Sequence, residues 1–231
     1  MWIIYTTQEG QHYPLEIDYK LINSTEIQHD YEQITSYCRD GCPDYGSGGC
    51  PPYAPALAEV AAKYPYGIMV YAKFFSRFKP PQLATEDFSL QDVVLSDILS
   101  QLGYAVLDQN RGDLFFLNCG HCRGCGDQPC SFKQGDETCR EPERRAYSIA
   151  ATGVDVSKTL QEVFGITLQW LKGNNEVEYI IKVMALLSPE QTLLQQIAQE
   201  LRPTFNSLAC IRLPIGSRVA GDILERMLAA R

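Results

Sequence analysis

The chain has 231 residues, 45% hydrophobic and 21% charged, with a formal net charge of −8 and a pI of about 4.9. A chain of this length can bury a full core, so its nine cysteines are not the disulfide props of a miniature fold. The acidic balance speaks against nucleic-acid binding through a broad basic surface, and no apolar run approaches the length of a membrane span.

The opening Met1-Trp2-Ile3-Ile4-Tyr5 lacks the basic start and long apolar stretch of a signal peptide. The expectation is a cytoplasmic protein, in a compartment where thiols stay reduced. Trp2–Tyr5 and Leu15–Leu21 read as strands joined by a polar hairpin through Gly10. A Gly- and Pro-rich loop with three cysteines follows, and Pro55 is expected to open a short helix through about Tyr64. Gly67–Phe75 reads as a buried strand. Leu90 to Leu102 reads as a helix with Val93, Val94, Ile98, Leu99 and Leu102 on one face and Gly103 as its stop.

Leu114–Leu117 is a short apolar strand that delivers the chain into Cys119, where five cysteines begin. Pro142–Ala151 and Val156–Phe164 are helix candidates, the second with Asp155 as cap and Gly165 as stop. Ile166–Leu171 and Val177–Leu187 read as paired strands turning at Gly173-Asn174-Asn175. Ser188-Pro189-Glu190-Gln191 reads as a capping box before a helix carrying Leu193, Leu194, Ile197 and Leu201, with Pro203 beyond its end. A last helix is expected over about Val219–Leu228. The fold class this order predicts is α/β or α+β: a single compact domain over 1–231 with a mixed sheet, flanking helices and two Gly/Pro-rich cysteine loops. Residues 30–165 would form the metal-binding core and 166–231 a C-terminal scaffold of a strand pair and helices. Sites in open sheets often sit at strand C-terminal ends, where the second cysteine loop falls.

The second loop reads Cys119-Gly-His-Cys122-Arg-Gly-Cys125-Gly-Asp-Gln-Pro-Cys130, with Cys139 following. Two-residue gaps let a short loop give a thiolate to several corners of a cubane cluster, and Gly120, Gly124 and Gly126 let the backbone curl. Bacterial ferredoxins use a similar run, but with a three-residue last gap and Pro after the final cysteine; here the gap is longer and Pro129 precedes Cys130. Zinc is the main alternative, although structural zinc sites usually take two separated cysteine pairs, and redox thiols without metal are a third reading. The first loop supplies Cys38, Cys42 and Cys50, one thiolate short of a full set. Either a cysteine of the second loop completes it, one iron stays open, or this loop only folds over the other site.

Three and five thiolates would fill two four-thiolate [4Fe–4S] sites, so the metal candidates are Cys38, Cys42, Cys50, Cys119, Cys122, Cys125, Cys130 and Cys139. Cys210, in the apolar stretch Leu208–Ile211, reads as a buried small hydrophobe. His121 could ligate but reads more simply as a hydrogen-bonding or solvent-facing residue. Arg140 and Arg144 read either as part of a solvated helix start or as charge compensation for a thiolate cluster and a hold on an anionic substrate; Tyr45 is a candidate assistant at an open iron.

These residues carry a resemblance. Cys38…Cys42-Pro-Asp-Tyr45-Gly46…Cys50-Pro51-Pro52, followed by Cys122-x2-Cys125…Cys139-Arg140-x-Pro142…Ser148…Gly153-Val154-Asp155-Val156, resembles the two motifs of the predicted metal-binding protein family, a domain of unknown function. The resemblance spans about residues 30 to 165 and implies cysteine-bound metal of iron–sulfur type, with no known reaction. The chain departs from the family pattern at Tyr147-Ser148-Ile149-Ala150-Ala151, where Pro-Ser-Met-Glu-Ala is usual, and Cys119 looks like an addition.

Three functions compete. One is electron transfer or redox catalysis by one or two clusters, with a redox partner protein or a small-molecule substrate, as in an iron–sulfur-dependent oxidoreductase. Another is a non-redox enzyme whose three-cysteine cluster leaves one iron open as a Lewis acid. The third is a structural or regulatory zinc module. No G-x-G-x-x-G fingerprint or P-loop signals a nucleotide cofactor, and three histidines (His12, His29, His121) give little support to a hydrolase.

Overall fold

The computed structural model describes residues 1–7, 10–80, 88–170 and 177–208. Among them, one open six-stranded mixed sheet carries helices on both faces, an α+β arrangement. The strands are β1 (Trp2–Thr6), β2 (His12–Asn23), β3 (Tyr66–Phe75), β4 (Phe115–Asn118), β5 (Tyr147–Ser148) and β6 (Tyr179–Ser188), in the order β1-β2-β3-β6-β4-β5. The helices are α1 (Tyr31–Arg39), α2 (Leu57–Ala61), α3 (Ser89–Gln109), α4 (Val156–Phe164) and α5 (Gln191–Ser207). No described helix is long and apolar enough to cross a membrane.

The near-continuous apolar run of β3 follows from burial on both faces. Ile68, Val70, Ala72 and Phe74 pack with residues of α3 and α5, while Met69 and Tyr71 pack with those of α2 and α4. Burying each large apolar side chain contributes about 1.5–3 kcal/mol, so this central strand is the main anchor of the sheet. The β1–β2 hairpin forms as expected, antiparallel with Trp2 opposite Glu16 and Gly10 at φ +77°.

Several expectations are corrected. The helix expected to stop at Gly103 runs on to Gln109, because that glycine is a packing site: a Cβ there would stand 2.7 Å from Phe116 Cε1. Val93 is 63% exposed and lies off the buried face of that helix. Pro142–Ala151 is not a helix but two 3-10 turns around β5, which pairs in parallel with β4. Ile166–Trp170 forms no strand, so β6 has no hairpin mate there; the expected turn lies outside the described residues. Instead β6 sits inside the sheet, antiparallel to both β3 and β4.

The short helix α2 begins at Leu57, leaving Pro55 before its Ala56 cap. At α5 the Ser188 hydroxyl accepts from the Glu190 N–H at 3.1 Å, no capping box forms, and the helix starts at Gln191. Pro203 lies inside that helix, where it removes one backbone bond; the fully buried Leu201 and Phe205 hold the last turns in place. The last expected helix and Cys210 lie outside the described residues. The expectations for α4 hold: Asp155 accepts from the Lys158 N–H at 3.0 Å, and Gly165 ends the helix at φ +71°.

Candidate metal centre

Both ends of the second cysteine loop are pinned to the sheet. It leaves β4 at Asn118, which is 1% exposed, and returns as β5. The Asn118 Nδ2 donates to the His121 carbonyl at 2.8 Å, and its Oδ1 accepts from the Cys119 N–H at 2.9 Å and the Ser100 hydroxyl at 3.1 Å. The Ile149 N–H closes the return on the Asn118 carbonyl at 2.9 Å.

Within this frame Cys122 Sγ accepts from the N–H groups of Gly124 and Ala146, each at 3.4 Å, and faces the Tyr104 hydroxyl at 3.6 Å. That hydroxyl also accepts from the Arg123 N–H at 2.7 Å, and burial, followed by the charge of Cys122, pushes its pKa up. Burial also raises the Cys125 pKa, and the charges of Cys139, Cys122 and Cys130 raise it further against Arg140. Cys130 goes the other way. Desolvation pushes its pKa up most, but hydrogen bonds from the Gly48, Lys133 and Phe132 N–H groups, with the charge of Arg145, together bring it below the usual thiol value. Cys122, Cys125, Cys130 and Cys139 thus share one electrostatic neighbourhood.

The first loop starts in a helix that the sequence pattern did not reveal. Cys38 lies in the last turn of α1, whose N-terminus is capped by Asp30 and docked through the Asp30 N–H on the Gly153 carbonyl at 2.8 Å. Gly153 holds φ +85°, and a Cβ there would stand 2.5 Å from Tyr31 Cα, so this close approach requires glycine. Successive turns (Tyr45 N–H to Cys42, Ser47 N–H to Asp44, Cys50 N–H to Ser47) carry the chain to Cys50, which is 5% exposed. Burial pushes the Cys50 thiol up to about 11; Ser47 opposes this, while the charges of Asp44, Cys42 and Cys38 add to it. Cys38 is raised by burial and then by Cys42. These three thiols form a second neighbourhood.

The two loops interlock. Arg145 donates through Nε to the Gly48 carbonyl at 2.7 Å and through Nη2 to the Tyr53 carbonyl at 3.0 Å, with its guanidinium over the rings of Phe132 and Tyr147. The Gly48 N–H donates to Cys130 Sγ at 3.3 Å, and the Ser148 N–H to the Gly49 carbonyl at 2.8 Å. A Cβ on Gly49 would meet Cys122 Cβ at 2.8 Å. Lys133 Nζ donates to the Pro43 carbonyl, and Tyr53 and Phe132 lie 4.4 Å apart between ring centroids.

Other expected residues stand as follows. Arg144 is held by Asp108 at 2.8 and 3.1 Å and by the Gly124 carbonyl at 3.1 Å. Arg140 is exposed and reaches Gln134 at 3.1 Å and the Pro129 carbonyl at 3.4 Å. Tyr45 is 41% exposed at the surface of the first loop. His121 meets Asp44 at 3.5 Å, one more tie between the loops. Cys119 stands apart: its Sγ faces the Ser96 carbonyl at 3.9 Å, burial raises its pKa, and the charges acting on it come from Lys182 and Arg123, not from another cysteine.

Arg145, Tyr104 and Asn118 are the site residues that sequence reasoning missed. Arg145 was visible only as half of an Arg-Arg pair and Asn118 only as the neighbour of Cys119; no local signal marks Tyr104. Among the described residues, no three Cys, His, Asp or Glu side chains meet closely enough to hold a single metal ion.

The predicted metal-binding protein family (DUF2284) matches residues 20–187. The chain belongs to that family. The matched span runs from β2 into β6 and takes in both cysteine loops. No curated protein and no solved structure matched the chain.

Proposed function

We propose that the interlocked loops hold an iron–sulfur centre, and that this cytoplasmic protein exchanges single electrons through it with a redox partner or a small-molecule substrate. Metal binding itself is what the description of the family predicts. The observation that carries the iron–sulfur reading is the donor set around the second loop: four thiols in one electrostatic neighbourhood, with backbone N–H groups aimed at Cys122 and Cys130. Cys122, Cys125, Cys130 and Cys139 are the proposed ligands of one [4Fe–4S] cluster. When bound, such a cluster supplies a one-electron couple whose potential is tuned by net charge, hydrogen bonds to sulfur and solvent exposure.

The residues of this chain supply the rest. Amide groups at Gly124, Ala146 and Gly48 offset thiolate charge. Arg145 adds positive charge beside Cys130, and Arg140 beside Cys125. The Tyr104 hydroxyl stands 3.6 Å from Cys122 Sγ, and the first loop lies against Cys130 through Gly48. In this reading Cys38, Cys42 and Cys50 hold a second cluster, and a three-thiol set keeps the open-iron, Lewis-acid role as the second reading.

The test is electron paramagnetic resonance on protein purified without oxygen and reduced with dithionite. A paramagnetic signal that appears on reduction and is diminished in Cys125→Ser supports electron transfer. A colourless protein silent before and after reduction refutes it.

A further inference from the structure

A cavity of about 490 Å³ lies between α2, the start of β4 and the segment that follows Cys139. That volume falls within the range of small-molecule sites. Its wall holds Lys63, Tyr64, Arg145 and Tyr147. Among the described residues, neither the Lys63 ammonium nor the hydroxyls of Tyr64 and Tyr147 has a hydrogen-bond partner. Three donor-bearing side chains therefore line one space, and Arg145 adds a fixed positive charge. Phe115, stacked on Tyr147 with ring centroids 4.7 Å apart, supplies a flat apolar wall.

Two carboxylates, Glu59 and Glu143, also line the cavity. They offset the charges of Lys63 and Arg145, so the wall carries no net charge; a single carboxylate can be held by the local donors, while a second negative charge meets like charge. The cavity also lies beside the cysteines. Tyr147 stands in the field of Cys139 and Cys122, and its neighbour Ala146 donates to Cys122 Sγ at 3.4 Å.

We propose that this cavity binds a small organic monoanion, a carboxylate on a flat apolar body, next to the second cysteine set. The binding site stands on the cavity alone; that its ligand is the substrate of the metal centre rests on the reading above.

The test is calorimetric titration of the full chain, purified anaerobically, with 2-naphthoate, its neutral amide and 2,6-naphthalenedicarboxylate. The monoanion is expected to bind once per chain, with the amide and the dianion each about tenfold weaker, as the loss of one charge-assisted hydrogen bond or one like-charge contact would give. Lys63→Gln and Tyr147→Phe should each weaken naphthoate about tenfold and the amide by less. Equal affinity for acid and amide, no binding of either, or full affinity in both variants overturns the proposal. Metal content is measured on the same samples. Naphthoate binding by a chain that carries no metal supports the cavity and strikes the metal reading alone.

Discussion

The Nε–H of Arg145 donates to the carbonyl oxygen of Gly48 at 2.7 Å, joining residues 97 positions apart in the chain. One half-buried guanidinium thereby fastens the first cysteine loop onto the second while its face rests on two aromatic rings. Arg145→Ala removes both charged donors and the ring contacts and is expected to cost about 2–4 kcal/mol. Arg145→Lys should recover only part, because an ammonium cannot reproduce the fork. Urea unfolding of the metal-free variants checks this; equal midpoints for wild type and Arg145→Ala would remove the latch.

The glycines of the loops are not equivalent. Gly49 faces Cys122 Cβ at 2.8 Å from where a Cβ would sit, whereas nothing stands within 4 Å of that position at Gly120. Gly49→Ala should pry the loops apart and lower metal content severalfold, while Gly120→Ala should match wild type. Metal analysis of the two variants side by side decides it.

Gly103 and Phe116 form a comparable pair in the core. Gly103→Ala drives a methyl group into the Phe116 ring and should destabilise by about 1–3 kcal/mol. A Phe116→Leu partner should relieve part of that cost, which a double-mutant cycle would register as coupling between the sites.

The thiols of Cys38, Cys50, Cys119 and Cys125 are all raised, with Cys50 at about 11, and burial is the largest cause at each. In the unfolded chain they titrate near the ordinary thiol value of about 8.5. A raised folded pKa contributes stability that is complete below the unfolded value and is lost as pH rises through the folded one. Metal-free protein should therefore hold a level melting temperature below about pH 8.5 and lose stability from there toward pH 11. Cys130, which is lowered, works weakly in the opposite sense. A melting temperature that climbs through this range would contradict the burial of these thiols.

Much of the frame was legible because it is written in local pattern. The apolar run of β3 and the Asp155 and Gly165 ends of α4 are signals a sequence carries openly. α1 was not legible: Thr35 is its only fully buried residue among those described, and its docking on Gly153 is a contact across more than a hundred residues. Gly103 reads the same as a stop or as a packing notch, and only Phe116 decides between them. Pro142–Ala151 has helix-forming residues, yet pairing beside β4 overrides their preference. The cysteines declared themselves by number and spacing. Their partition into three, four and a separate Cys119 did not, since it depends on how the loops fold over one another.

That partition makes a direct prediction. Cys119→Ser should leave metal content at the wild-type level, while Cys50→Ser and Cys125→Ser should each lower it. Metal lost on replacing Cys119 would return that thiol to the ligand set.

The most direct measurement of the central claim is the iron, acid-labile sulfide and zinc content of protein purified without oxygen. The account predicts a brown protein with iron and sulfide in equal amounts and little zinc. A colourless protein carrying stoichiometric zinc and no sulfide would contradict it.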